Sequence, residues 1–326
     1  MTKERIIMDV DPGIDDSLAI LLALKSPEII VEGITVVSGN IEVHQATKNA
    51  LKAVDMAGSR EAKVYKGMAL PLIKEYIDAT DTHGTDGIGE NFFPNPSRTH
   101  EKEHAVDFIL NTVRNNPGEI TLLALGPLTN IAAAIKKDVE TMKNVKKLVL
   151  MGGTAKHQGN CSAVAEYNFW VDPHAAEMLF SSGIEVTMVG LDVTHKIVLT
   201  PNLRELINQF NNELSHYIFN ITQFYVDFHW QQERTLGCVI NDPLAMAILI
   251  NPSLVQTKDA FVDIVTEGKA EGQSLVDFDG VWTNGKINAK VCMDVDARKF
   301  FELFLGRLFP DYLADIEMVL EKQSFK

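Results

Sequence analysis

Short apolar runs that stop on glycine or proline, most of them followed by a helical pattern, recur through the first 190 residues of this chain. Parallel strands need long crossovers, and helices are the usual ones, so this alternation points to a mainly parallel sheet covered by helices. Ile6 to Val10 reads as the first strand, with Asp11-Pro12-Gly13 as its turn and a helix over Asp16 to Lys25. Ile29 to Val37 contains the second, stopped by Ser38-Gly39-Asn40, and a helix over roughly Gln45 to Ala57 follows. Thr121 to Leu125 closes on Gly126-Pro127 ahead of a helix from Thr129 to Lys137. Lys147 to Met151 closes on Gly152-Gly153, and Glu185 to Val189 on Gly190.

Beyond this point the chain becomes more helical. Thr200-Pro201 and Asn241-Asp242-Pro243 place a capping side chain ahead of proline, a good helix start. A longer amphipathic helix is expected over Asn212 to Gln231. Alternation through Phe261 to Val265 and Lys290 to Asp294 reads as antiparallel strands. No repeat, low-complexity segment or linker divides the chain, so one α/β domain over residues 1–326 is expected. Its architecture is an open, mainly parallel sheet flanked by helices, with a more helical C-terminal part. A chain of 326 residues that is 46% hydrophobic suffices for its core.

Charge narrows the partners. The formal net charge is −14, and basic residues cluster no further than Lys136-Lys137 and Lys146-Lys147. Nucleic acid and anionic membrane both need a concentrated basic footprint, so neither is expected as a partner. Cys161, Cys238 and Cys292 are odd in number and far apart, matching neither a disulfide framework nor zinc-ligand spacing. The apolar run before Asp9 is too short for a signal peptide, and none elsewhere approaches a membrane span. A cytoplasmic protein acting on a small molecule is the expectation.

In open α/β sheets, ligands bind outside the carboxyl ends of the strands. There the segment Asp9-Val10-Asp11-Pro12-Gly13-Ile14-Asp15-Asp16 packs four carboxylates into eight residues. One aspartate at a helix start is ordinarily a cap; four repel one another unless a cation sits among them. The absence of neighbouring Cys or His suits a hard cation, Ca²⁺ or Mg²⁺. The spacing is not that of a helix-loop-helix calcium site, which takes ligands at alternate positions over ~12 residues.

This segment resembles the N-terminal signature of the inosine-uridine type nucleoside hydrolases. Further matches run in order to about residue 245. They are Gly39-Asn40, Thr82-His83-Gly84-Thr85-Asp86-Gly87-Ile88-Gly89, Leu125-Gly126-Pro127-Leu128-Thr129-Asn130 and Met151-Gly152-Gly153. Gly159-Asn160, Glu166-Tyr167-Asn168, Asp172-Pro173, Gly190-Leu191-Asp192-Val193-Thr194-His195 and Asn241-Asp242-Pro243 complete them. The resemblance implies a Rossmann-related fold, a homodimer or homotetramer, and Ca²⁺-dependent hydrolysis of purine or pyrimidine ribonucleosides to ribose and free base. It implies Ca²⁺ held by Asp11, Asp16, Asp242 and the carbonyl of Leu125, with Asp11 as general base. It places Asp15 and Asn40 on the ribose 2′-hydroxyl side and Asn160, Glu166 and Asn168 on the 3′ and 5′ side. Met151 and Asp242 are also expected against the substrate.

One position departs from the family. Many members carry His immediately before the last metal-binding Asp, as an acid for the leaving base. This chain has Asn241, which donates hydrogen bonds but no proton at neutral pH. His83, in a Gly-flanked loop, is the expected substitute, with Tyr225 or His229 also within possible reach. Thr129-Asn130 reads as a helix cap, Phe169 as core and His195 as structural. A haloacid-dehalogenase-like phosphohydrolase also begins with a strand and Asp-x-Asp, but Pro12-Gly13-Ile14-Asp15 fits it badly. A metal-dependent nucleoside-binding relative with weakened catalysis is the other alternative.

Overall fold

A computed structural model describes residues 3–59 and 61–325. Among the described residues there are eleven strands: β1 (Glu4–Val10), β2 (Ile29–Val36), β3 (Val64–Lys66), β4 (Ile120–Ala124), β5 (Lys147–Met151), β6 (Val186–Val189), β7 (Val198–Leu199), β8 (Cys238–Val239), β9 (Val255–Ile264), β10 (Ser274–Asp277) and β11 (Ala289–Val295). Nine of them form one sheet in the order β10-β9-β11-β6-β5-β4-β1-β2-β3, while β7 and β8 pair apart as a small antiparallel ribbon. From β3 to β11 the pairings are parallel; β9 is antiparallel to both β11 and β10. This is the expected α/β architecture. Its central part, 3-2-1-4-5-6, is the doubly wound order, whose direction reverses between β1 and β4.

Strands buried on both faces read as continuous apolar runs, which is why β1, β4 and β5 stood out in the sequence. Two apolar cores lie on the two sides of the sheet. One gathers Leu18, Leu22, Ala50, Leu244, Ile248, Phe300 and Phe304; the other gathers Ile109, Leu122, Ile131, Leu148, Leu179 and Val186. The helix Ile14–Leu24 is buried through Ala23, apolar all round apart from its first turn. It packs against the helix Asp242–Ile250, which is equally enclosed.

Several expectations need correction. The first helix begins at Ile14, so Asp15 and Asp16 lie inside its first turn. β3 and β10, of three and four residues, carry too little periodicity to be read. Lys290 to Asp294 lies in an antiparallel pair with β9 but runs parallel to β6 on its other edge. Among the described residues no helix is long and apolar enough to cross a membrane.

Candidate active site

The reversal between β1 and β4 opens a crevice at their carboxyl ends, and the acidic segment leaves β1 there. The four aspartates do not act alike. Asp9 turns to the structural side, where Oδ1 accepts from Thr35 Oγ1 at 2.6 Å and Asn130 Nδ2 at 2.8 Å. Asp11 Oδ2 accepts the Asn40 backbone N–H at 2.7 Å, while Oδ1 is buried without a partner. Asp16 accepts from the backbone N–H groups of Asp11 and Gly13 at 3.1 and 3.0 Å and from Asn40 Nδ2 at 3.1 Å. Asp242 joins them from the first turn of its own helix.

Carboxylate oxygens of Asp15, Asp16 and Asp242 lie within 4.8 Å of one another. Asp11 was expected in that set and Asp15 beside it. Because the helix starts at Ile14, the first turn swings Asp15 inward, while Asp11 stays against Gly39 and Gly126. Burial, reinforced by neighbouring carboxylates, drives the pKa of Asp11 and Asp242 well above the usual range and Asp16 to about 6. Among the described residues no Lys or Arg lines the pocket to offset this charge. Two helix N-termini point their positive ends at the cluster. An all-oxygen set with an orphaned buried oxygen is what a hard metal cation requires, so the residues fit one.

One wall of the pocket carries Asn40, Leu125, Met151, Asn160, Cys161, Glu166, Tyr167 and Asn168. These residues are thus brought together as expected, but most of their polar groups already have protein partners. Asn168 Nδ2 donates to the carbonyls of Leu125 and Met151 at 2.7 and 3.1 Å, tying two strand ends together. Glu166 caps the helix Tyr167–Val171 and also accepts from Gly153 N–H at 2.9 Å; burial pushes its pKa to about 7. Asn160 Oδ1 accepts from Tyr167 N–H at 3.0 Å. Tyr167, which stands in the Glu166-Tyr167-Asn168 motif but was given no role there, donates its hydroxyl to Gly39 O at 2.7 Å.

The opposite wall comes from the helix Glu213–Glu233, through Tyr225, Phe228, His229 and Glu233, with His83, His195 and Asn241 beside it. His83 ends a short helix, Thr80–His83, followed by Gly84, Gly87 and Gly89, all at positive φ. Its Nδ1 accepts Ile14 N–H at 3.1 Å, and burial lowers its pKa to about 4. Asn241 Nδ2 donates to Asp15 Oδ2 at 3.2 Å, and the Tyr225 hydroxyl approaches the same oxygen at 3.4 Å. The Asn241 amide N–H₂ is therefore engaged with the protein, and its Oδ1 is the buried atom left without a partner. His195, expected as structural, lines the pocket 3.5 Å from Glu233. Thr129 and Asn130 are not caps: Thr129 bonds Asp172 at 2.7 Å and Asn130 bonds Asp9. Phe169 is core, as expected, packed edge-on against Phe180.

Residues 6–302 match the profile of a family described as inosine-uridine preferring nucleoside hydrolase. The chain belongs to that family. Nucleoside N-ribohydrolase chemistry, the hydrolysis of the bond between ribose and base, comes with this membership. Uridine nucleosidase 1 of Arabidopsis thaliana is 37% identical, over 84% of this chain and 82% of its own. A pyrimidine-specific ribonucleoside hydrolase, RihA, of Citrobacter koseri is 35% identical over 93% of this chain and 97% of its own. The solved structure of a purine-preferring ribonucleoside hydrolase from Gardnerella vaginalis superposes with a TM-score of 0.89. It is 36% identical and covers 95% of this chain and 100% of that one.

Proposed function

We propose that this protein is a Ca²⁺-dependent nucleoside hydrolase that releases ribose and free nucleobase from ribonucleosides. Residues 1–326 act as one catalytic domain, in the cytoplasm, as a homodimer or homotetramer. The observation that carries the reading is a carboxylate cluster and a row of amides facing one pocket at the reversal of the sheet.

Asp15, Asp16 and Asp242, with Asp11 and the Leu125 carbonyl alongside, would hold the ion. When bound, Ca²⁺ supplies the positive charge that orients water and ribose hydroxyls and lowers the pKa of that water. Asp11 takes the water's proton; the orphaned Oδ1 supports this role, being an acceptor that no protein group uses. Asn40, Asn160, Glu166 and Asn168 grip the sugar, so binding energy goes into aligning the scissile bond. The buried carboxylates stabilise the oxocarbenium character that ribose gains as the bond breaks. Met151 closes the wall beneath the sugar. Asn241 holds Asp15 in place through its amide N–H₂. His83, neutral because it is buried, assists the leaving base by a hydrogen bond from Nε2–H rather than as an imidazolium acid.

Metal analysis of the purified protein tests the site. About one Ca²⁺ per chain, with activity lost on chelation and restored by Ca²⁺, is expected. Zinc in its place, or full activity in a metal-free preparation, overturns the assignment.

A further inference from the structure

His83 and His229 both line the pocket and both pack against Tyr225, with ring centroids 5.1 and 4.4 Å from the tyrosine ring. The backbone assigns them opposite tautomers. His83 Nδ1 sits 3.1 Å from the N–H of Ile14, which only donates, so Nδ1 is the acceptor and Nε2 carries hydrogen. His229 Nδ1 sits 2.8 Å from the carbonyl oxygen of Tyr225, which only accepts, so Nδ1 carries hydrogen and Nε2 is a lone pair. The ring hydrogen bonds of both use Nδ1, which leaves each Nε2 to the pocket these residues line. One wall thus presents a fixed donor, at His83, and a fixed acceptor, at His229.

We propose that His229 is a specificity-determining residue that reads the ring position next to the 2-oxo group of a pyrimidine base, favouring N–H there over a bare nitrogen. The inference rests on the nucleoside hydrolase reading above. Uracil offers O2 as an acceptor for His83 and N3–H as a donor for His229. Cytosine offers the same O2, but its N3 is a lone pair that meets the lone pair of His229. Burial is the main cause lowering the pKa of both histidines, which keeps both rings neutral near pH 7 and their polarity fixed.

A site built to bond a particular N–H rejects an analogue lacking it, because its own polar group is left unpaired. The experiment compares kcat/KM for uridine and cytidine in the Ca²⁺-loaded enzyme and in His229→Gln, normalised to p-nitrophenyl riboside, which has no base edge. A wild-type preference for uridine of about tenfold or more is expected. In His229→Gln the preference collapses to within about threefold, because a glutamine amide rotates to offer either polarity. Equal wild-type rates, or a preference that survives the substitution, overturn the proposal while leaving the nucleosidase reading intact. Failure to release ribose from any nucleoside overturns both. Nitrogen-15 NMR of histidine-labelled wild-type enzyme needs no variant: hydrogen on Nδ1 of His229 and Nε2 of His83 supports the assignment, and the reverse tautomers overturn it.

Discussion

Gly39→Ala tests whether the position of Asp11 governs the chemistry. A Cβ at residue 39 lies 2.0 Å from Asp11 Oδ2, 2.8 Å from its Cγ and 2.6 Å from Pro127 Cδ. The carboxylate has to retreat by about 1 Å to restore even a 3.0 Å contact, shorter than ordinary van der Waals separation. The carboxylate is closely approached by a second glycine as well, since a Cβ built on Gly126 would fall 2.5 Å from Asp11 Oδ1. Movement also costs the 2.7 Å bond from Asn40 N–H. Overpacking of this kind destabilises by about 1–3 kcal/mol. A 1 Å displacement of a reacting group is expected to lower kcat on the order of 10²-fold. The control is Gly58→Ala, at φ 71° with open space around it: the strained backbone costs roughly 1 kcal/mol while kcat stays at the wild-type value. Steady-state kinetics with Ca²⁺ saturating, beside urea unfolding of each variant, separates the two effects. A Gly39→Ala enzyme that is destabilised as expected but turns over within about twofold of wild type refutes the placement of Asp11 at the reaction centre.

Asp11→Asn is expected to fold and lose roughly two to four orders of magnitude in kcat, as for removal of a general base, with Ca²⁺ content measured alongside. His83→Ala slows natural nucleosides severely and spares p-nitrophenyl riboside, whose phenolate leaves without help; equal slowing of both assigns the histidine to sugar binding or loop closure. Acid stability carries the signature of the same residue. The folded pKa of about 4 lies below the 6.5 of an unfolded histidine, so the unfolded chain binds the extra proton and stability falls as pH drops from 6.5 to 4, by about 3 kcal/mol. Buried carboxylates with raised pKa values, such as Asp9 and Glu166, act in the opposite sense, so the histidine's part is read as the difference between wild type and His83→Gln in urea unfolding at pH 7.5 and pH 5, about 2 kcal/mol over that interval. Asn241→Ala should cost about tenfold or less on natural substrates, because a hydrogen bond to Asp15 is lost rather than a proton donor.

What the sequence revealed was local. Apolar runs ending in turns gave five of the nine sheet strands, because a strand buried on both faces needs no partner to be recognised, and alternation gave two more. Four aspartates in eight residues were conspicuous by their mutual repulsion. Which of them converge was not legible, since that depends on the helix starting at Ile14 rather than two residues later. Thr129 and Asn130 followed the local rule for caps, and tertiary bonds to Asp172 and Asp9 overrode it. Phe228 and Glu233 carry no signal of their own, and His195 read as structural: a long helix brings Phe228 and Glu233, beside the expected Tyr225, to a pocket founded some 200 residues earlier. The polarity of His83 and of Asn241 is set by the Ile14 N–H and by Asp15, both distant in the chain, and was invisible for the same reason; that of His229 is set by a carbonyl four residues earlier in its own helix.

In the proposed reaction water, and no other acceptor, takes the ribose from the base. Incubating the Ca²⁺-loaded protein with uridine in ¹⁸O-water, without phosphate, and following the products by mass spectrometry tests it most directly. Equimolar uracil and ribose are expected, with one ¹⁸O at the anomeric carbon of the sugar and none in the base. Cleavage that requires phosphate, label in the uracil, or intact uridine together with an untouched panel of other nucleosides contradicts it.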